Sequence, residues 1–452
     1  MYKREEGKEQ PFWPLGPFKI RLPFIHYRWE LVESLQALVL FVVSLGMIPL
    51  LEQHLGLPYE VALAYVFVCG IGFMLPALLG VPFVPGWITP GIPVVVLFLT
   101  QFEPGPEAIK ALIALQLLVA AIFLILGVTK ISSKLVNSVP KSIKGGILLG
   151  AGIAAIMGEI QTGGRLANTP ISLIAASLIC FYILFSLSFQ KLRAKNKIAN
   201  VIANFGMVPA MIIGIIIALA VREYSAPDVQ WGITIPAFGQ MWNYLPFTVG
   251  FPGIDLFMAA IPTALVAYII AFGDVIVGTS LVNEGNKVRS DEEIDTNADR
   301  VHLVTGLRNV LHSFFAPYPG LAGPIWTAVT ATVSERYKLG PNAMNSIYSG
   351  AGTFWIAGFI ALFILPLVSF FKPFLPIGLS LTMIVTGYLC IVTGFKQIQS
   401  NVEQGVAGVM AVVLAMYGAA YGLAIGIVLY LLLERKNLTP RTDLQYTQAK
   451  DG

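Results

Sequence analysis

The chain has 452 residues, 56% hydrophobic and only 12% charged, with a mean hydropathy of +0.75 and a formal net charge of +4. Soluble domains carry about 25% charge, so this balance excludes an ordinary soluble enzyme or nucleic-acid-binding domain and points to a polytopic α-helical membrane protein. The excess of Gly (43) and Pro (29) fits membrane helices, and Cys69, Cys180 and Cys390 stand in three different apolar blocks, which speaks against a disulfide framework or metal site.

Residues 1–30 show no cleavable signal peptide. Lys3, Arg4, Glu5, Glu6, Lys8 and Glu9 are followed by Pro11-Phe12-Trp13-Pro14 and Phe24-Ile25-His26-Tyr27-Arg28-Trp29. Mixed charge followed by aromatic and basic residues predicts a cytoplasmic segment lying along the membrane interface. Apolar blocks long enough to span a bilayer then recur, at roughly 20 residues each. Over 31–221 they fall near 31–51, 58–80, 107–129, 141–160, 170–190 and 199–221, with a shorter, interrupted segment at 84–100. A wet, aromatic linker, 222–256, is expected outside. Over 257–434 spans fall near 257–282, 301–316, 343–367, 374–395, 402–416 and 417–434, with an interrupted segment at 318–333. Residues 435–452 read as a cytoplasmic tail. The expectation is fourteen transmembrane segments, seven in each half.

Cation placement supports the count. With a cytoplasmic N-terminus, inside loops hold Lys130, Lys134, Lys141 and Lys144, then Lys191, Arg193, Lys195 and Lys197, then Lys287, Arg289 and Arg300. Outside loops carry mostly single cations such as Lys110, Arg165, Arg222 and Lys372. An odd number of spans per half makes the repeat inverted.

The interrupted segments share a pattern. Pro85-Gly86-Trp87-Ile88-Thr89-Pro90 and Pro319-Gly320-Leu321-Ala322-Gly323-Pro324 both read Pro-Gly-x-x-x-Pro, 234 positions apart. A weaker match, Val139-Pro140 with Leu375-Pro376, has an offset of 236. Thr89 is a good N-cap and Pro90 suits the first helical position; Gly323 and Pro324 take the same parts in the second half. Each pair predicts a half-helix starting at membrane depth after an extended stretch. Such backbone survives only inside protein or beside a watery cavity. Each helix start carries free N–H groups and about half a positive charge. Two starts facing each other favour an anion or a carbonyl edge.

The candidate substrate contacts are therefore Trp87, Thr89, Pro90, Gly91, Leu321, Ala322, Gly323 and Trp326. The two tryptophans would either stack a planar solute or pack in the core. Asp274 is the one acid in the middle of an apolar span of the second half. A charge there costs about 3 kcal/mol on insertion scales, so it is a candidate for proton or Na⁺ coupling, or for a structural hydrogen bond to a helix start. Glu33 and Gln36 share a face of the first span, near enough to the interface for Glu33 to be a solvated helix-end residue. Arg308 and His312, four apart, could hold an anion or relay protons, or pack against the inner loop. The acidic run Asp291, Glu292, Glu293, Asp295 and Asp299 is expected in a solvated cytoplasmic loop. No phosphate loop, nucleophile elbow or metal-ligand cluster is present in the sequence.

Seven-plus-seven inverted repeats with a short strand and half-helix in segments 3 and 10 resemble the fold shared by nucleobase–ascorbate permeases, sulphate permeases and bicarbonate/borate transporters. Ala271-Phe272-Gly273-Asp274-Val275 is similar to the Gly-Asp that ends the nucleobase permease signature, but Ile270 stands where those families place a glutamate. Pro317 to Gly323 lacks their Thr-rich motif. The resemblance implies a core module (segments 1–4 and 8–11), a gate module (segments 5–7 and 12–14) and a homodimer. It implies an ion-coupled secondary transporter of a small anion, or of an anionic or planar organic solute. H⁺ or Na⁺ would be the coupling ion, with no cofactor and no nucleic-acid partner. A nucleobase proton symporter and a passive anion channel are alternatives on the same scaffold. An intramembrane enzyme or non-transporting receptor has no support in the sequence.

Overall fold

The computed structural model describes residues 2–132, 134 and 138–434; the expected tail, 435–452, lies outside them. The principal helices are α1 (Leu31–Leu40), α2 (Tyr59–Leu78), α3 (Ile92–Leu99), α4 (Pro106–Thr129), α5 (Lys141–Ile160), α6 (Pro170–Phe185), α7 (Leu187–Lys195), α8 (Lys197–Asn204), α9 (Val208–Ala220), α10 (Ile254–Val288), α11 (Ala298–Phe315), α12 (Thr327–Lys338), α13 (Ile347–Ala361), α14 (Leu375–Gln397), α15 (Asn401–Tyr417) and α16 (Ala419–Leu429). Among the described residues, five helices are long and apolar enough to cross a membrane, or seven when two bent pairs count as single spans. This is a mostly helical, multi-pass membrane protein.

Helix α2 is apolar all round and nearly all buried, as a helix surrounded by others must be. The first expected span is broken after α1, with a further helix beginning at Ile48. Pro49 stands in that helix's first turn, where its missing N–H costs nothing.

Two groups of helices form. In one, α4 packs on α10 and α11, α2 on α11 and α13, and α1 on α13. In the other, α5 packs on α14 and α15, α6 on α9 and α14, and α15 on α16. Exchanging each helix for its counterpart in the other half reproduces the pattern: α1–α13 mirrors α10–α4, and α5–α15 mirrors α14–α6. The α2–α11 and α5–α14 contacts lie on the pseudo-twofold itself.

At the same axis, strand β4 (Gly86–Trp87) pairs antiparallel with β6 (Ala322–Gly323), Gly86 opposite Gly323 and Trp87 opposite Ala322. The paired residues stand 237 and 235 positions apart in the chain.

The N-terminal segment is folded against the loops. β1 (Lys8–Glu9) pairs in parallel with β5 (Glu292–Glu293), and β2 (Trp13–Leu15) forms a hairpin with β3 (Phe18–Ile20). The acidic run is correspondingly not a solvated face. Arg4 and Arg289 bind Asp291, Lys19 and Arg300 bind Asp295 at 2.7 and 2.8 Å, and Glu292 is buried with Ser346 donating to it. The reason is complementarity: residues 2–30 add Arg4 and Lys19 to the local cations Arg289 and Arg300.

The Arg289 hydrogen bonds hold Asp291 below its ordinary carboxylate value. A depressed folded pKa contributes stability above the unfolded value, about 3.9, and that contribution fades as pH falls through the folded value. Melting temperature measured against pH should therefore drop in acid, and Asp291→Asn should melt below wild type at neutral pH while converging with it below about pH 4. A constant gap across that range would refute the assignment.

Candidate functional site

The two chain segments 84–88 and 318–326 cross at the centre of the fold. Ile88 donates to the Gly320 carbonyl (3.0 Å), and Trp326 donates to that of Val84 (2.6 Å). Leu321 adopts a left-handed conformation (φ 47°), with its N–H donating to Tyr318 (3.0 Å). That conformation is rare for a branched residue and marks local backbone strain. Glycine is required at the crossing. A Cβ on Gly323 would lie 2.5 Å from the Trp87 carbonyl, and one on Gly86 2.9 Å from the Ile325 carbonyl oxygen.

Two polar side chains of α11 fasten this crossing. Arg308, fully buried, donates to the Gly323 carbonyl (2.6 Å) and the Gly86 carbonyl (3.1 Å), the two members of one ladder pair. Asn309 accepts from the Ala322 N–H (2.9 Å) and donates to the Ala322 carbonyl (2.9 Å), as a neighbouring strand would. Gln116 of α4 donates weakly to Asn309 (3.4 Å) and accepts from the Tyr318 N–H (3.1 Å). Asn309 and Gln116 escaped the sequence reading as site residues, because a polar residue inside an apolar block names no partner by itself.

Helix starts follow each strand, with two corrections. Thr89 makes no capping bond; residues Thr89–Gly91 form a 3-10 turn before α3. Its Gly91 N–H is taken by the Ile88 carbonyl (2.8 Å), and Pro90 and Pro93 offer no N–H. Gly323 caps nothing, since it lies in β6, and Pro324 starts no helix. α12 begins at Thr327 with Trp326 as N-cap, because the ladder holds 322–323 extended. The first α12 residues keep N–H groups without intrahelical acceptors. The hydroxyls of Thr89 and Thr327 make no hydrogen bond among the described residues, and Thr327 is exposed. The sequence reading saw bare backbone at the second start; Thr327 supplies a hydroxyl there.

The 3-10 turn is packed on by α10 from the first helix group and by α5 and α14 from the second. The start of α3 therefore sits at the seam. Asp274 is on α10 and half-buried. No cation lies within ion-pair distance of Asp274 among the described residues.

The aromatic candidates differ. Trp87 is buried and packed against Phe73 and Tyr318, each at 5.5 Å between ring centres. Trp326 is half-buried against Phe354 and Trp355, both at 6.0 Å. Pro90 is half-buried and Gly91 buried; Leu321, Ala322 and Gly323 are buried within the crossing.

The remaining candidates stand apart from the helix starts. His312 is fully buried against Gly72, with both ring nitrogens lacking partners. Glu33 is not a solvated end: it is fully buried and paired with Arg336 at 3.2 Å, tying α1 to the last turn of α12. Gln36 is buried on the same helix.

Electrostatically the crossing is positive. No carboxylate lies within ion-pair distance of Arg308 among the described residues. This buried cation is met by two carbonyl dipoles and by the face of the Phe73 ring, 5.0 Å from its guanidinium carbon.

No protein-family model and no curated protein matches the sequence. The fold does match solved structures. The transmembrane domain of a cyanobacterium bicarbonate transporter, BicA, superposes with a TM-score of 0.53 at 14% identity, over 90% of this chain and 99% of that one. SLC26A9 superposes with a TM-score of 0.53 at 16% identity, over 89% of this chain and 64% of that one. The murine Slc26a9 anion transporter, in an inward-facing state, gives 0.50 at 14% identity, over 89% and 67%. The chain shares the fold of these membrane proteins.

Proposed function

We propose that this protein is a secondary transporter of a small anion, working by alternating access, with the site at the starts of α3 and α12. The observation that carries this reading is Arg308, a fully buried cation with no acid partner, fastened to both strands between two helix N-termini. Leaving such a charge uncompensated is costly, and a bound anion would offset it while accepting from the α12 N–H groups and the Thr89 and Thr327 hydroxyls. Bicarbonate is a candidate of suitable size and chemistry, in keeping with the transporter of similar fold. Trp87, wedged between Phe73 and Tyr318, is not free to stack a nucleobase, which favours a compact anion.

The two helix groups would be the core and gate modules, sliding at the seam beside the α3 start. Fourteen segments, a homodimer, a cell-membrane location and cytoplasmic termini complete the reading. Asp274 would couple H⁺ or Na⁺, since it lies on the core helix that crosses that seam.

The test is uptake in proteoliposomes of labelled bicarbonate, chloride and sulphate under imposed H⁺ or Na⁺ gradients. Wild type should concentrate at least one anion above its external level. Asp274→Asn should retain anion exchange and lose accumulation. Flux that only ever equilibrates would make the protein a passive channel and remove the coupling role. No flux of any anion would sink the transport reading itself.

A further inference from the structure

A second surface lies away from this site. Helix α7 departs from α6 by 60°, and α8 meets α9 at 86°, so the two short helices run across the spans rather than along them. The turns are built in. Ser186 accepts from the Phe189 N–H (3.4 Å) at the start of α7, and Asn196 accepts from the N–H groups of Ile198 (2.8 Å) and Ala199 (3.3 Å) at the start of α8. Gly206, at φ 58°, turns the chain into α9.

The pair is also held together. Arg193 of α7 donates to Asn200 of α8 (2.9 Å). Phe189 and Ala199 are buried with Ile183 of α6 in a small core of their own. This is a fixed wedge, not a loose linker.

Its outer face combines two kinds of residue. Leu187, Leu192, Ile198 and Val201 are exposed, Leu187 and Ile198 by more than 70%. Lys191, Lys195 and Lys197 are exposed as well, and none has a hydrogen-bond or ion-pair partner among the described residues. No acidic residue occurs between Glu159 and Glu223, so nothing in this part of the chain neutralises them.

We infer that the α7–α8 wedge is a binding surface for anionic phospholipid headgroups. Helices lying across the spans, with bare apolar side chains and unpaired lysines, suit the boundary between acyl chains and headgroups. Water would leave Leu187 and Ile198 exposed at a cost; a lipid surface buries them and supplies the missing negative charge. The lysines sit on the wedge that joins α6 to α9, in the half of the fold expected to slide or brace in transport. Lipid charge would thus anchor that half to one leaflet.

The experiment uses the full-length protein in phosphatidylcholine nanodiscs with increasing phosphatidylglycerol, read by thermal unfolding. Phosphatidylglycerol should raise the wild-type melting temperature. The K191Q/K195Q/K197Q variant should match wild type in pure phosphatidylcholine, which shows that it folds. It should need much more phosphatidylglycerol for the same rise, about fivefold more per lysine removed. Inorganic phosphate or glycerol phosphate added to phosphatidylcholine nanodiscs should not reproduce the shift. An undiminished phosphatidylglycerol response in the variant would overturn the inference. So would a full response to free phosphate, which would mark a soluble-anion site.

Discussion

Arg308→Met is expected to abolish anion transport and to destabilise the protein by about 3 kcal/mol. The substitution leaves the Gly86 and Gly323 carbonyls buried without their donor. An unsatisfied buried group costs about 1–3 kcal/mol, and two are left. Relief from burying a guanidinium recovers part of this, which is why the net falls below the sum. Lysine tests the geometry rather than the charge. Its single ammonium cannot span two carbonyls as the planar fork does, so Arg308→Lys should keep the positive field and melt between wild type and Arg308→Met. The measurements are thermal unfolding in one detergent and uptake in proteoliposomes. Wild-type melting and wild-type uptake in the methionine variant would show that the fork neither holds the crossing nor shapes the site.

Gly323→Ala should be worse than its single methyl suggests. The new Cβ would sit 2.5 Å from the carbonyl carbon and oxygen of Trp87 and 2.7 Å from the Ile88 nitrogen. These are backbone atoms, so no rotamer change can make room. Either β4 and β6 separate, losing the ladder and its Arg308 and Asn309 bonds, or the chain does not fold. We expect a loss above about 4 kcal/mol, in the range reserved for overpacking of this kind. Gly158→Ala is the matched control. That position, exposed within α5, has nothing within 4 Å of its would-be Cβ, and an alanine in a helix interior should gain about 0.5–1 kcal/mol. If both variants melted like wild type, the close strand crossing would be wrong.

The two results together separate stability from chemistry. Gly323→Ala breaks the crossing by volume, whereas Arg308→Lys leaves its shape close to intact and changes how its charge is held. A transporter that tolerates lysine but not alanine would need the crossing chiefly as a scaffold. One that loses uptake in both would need the guanidinium geometry as well.

Much of the architecture was legible in the sequence because the bilayer is a demanding solvent. Apolar blocks of spanning length, interrupted twice by proline and glycine, are hard to reconcile with any other class of fold. Several expected segments coincide with single helices, for example 107–129 with α4 and 374–395 with α14. The need for glycine at positions 86 and 323 was also legible, as sites of close backbone approach. They admit another strand at close range, not chiefly a substrate.

The site was legible only in outline, for a physical reason in each case. Thr89-Pro90 and Gly323-Pro324 carry good local signals for a helix start, but a local signal competes with strand pairing. At Gly323 the ladder to Gly86 won and displaced the start to Thr327. The acidic run near Asp291 reads as solvated because half of its cations, Arg4 and Lys19, come from some 280 positions away. Glu33 and Arg336 are likewise partners that only folding makes neighbours.

What the sequence by itself determined is therefore the solvent, the spans, the repeat and the two places where the spans break. These follow from hydrophobicity and from the dihedral limits of proline and glycine, which act within a few residues. Tertiary structure alone decided the pairing of β4 with β6, the position of the second helix start, and the use of Arg308 and Asn309 to fasten two strands from opposite halves. Those depend on which buried donor meets which buried acceptor, and in a low-dielectric interior that pairing is settled between residues far apart in the chain.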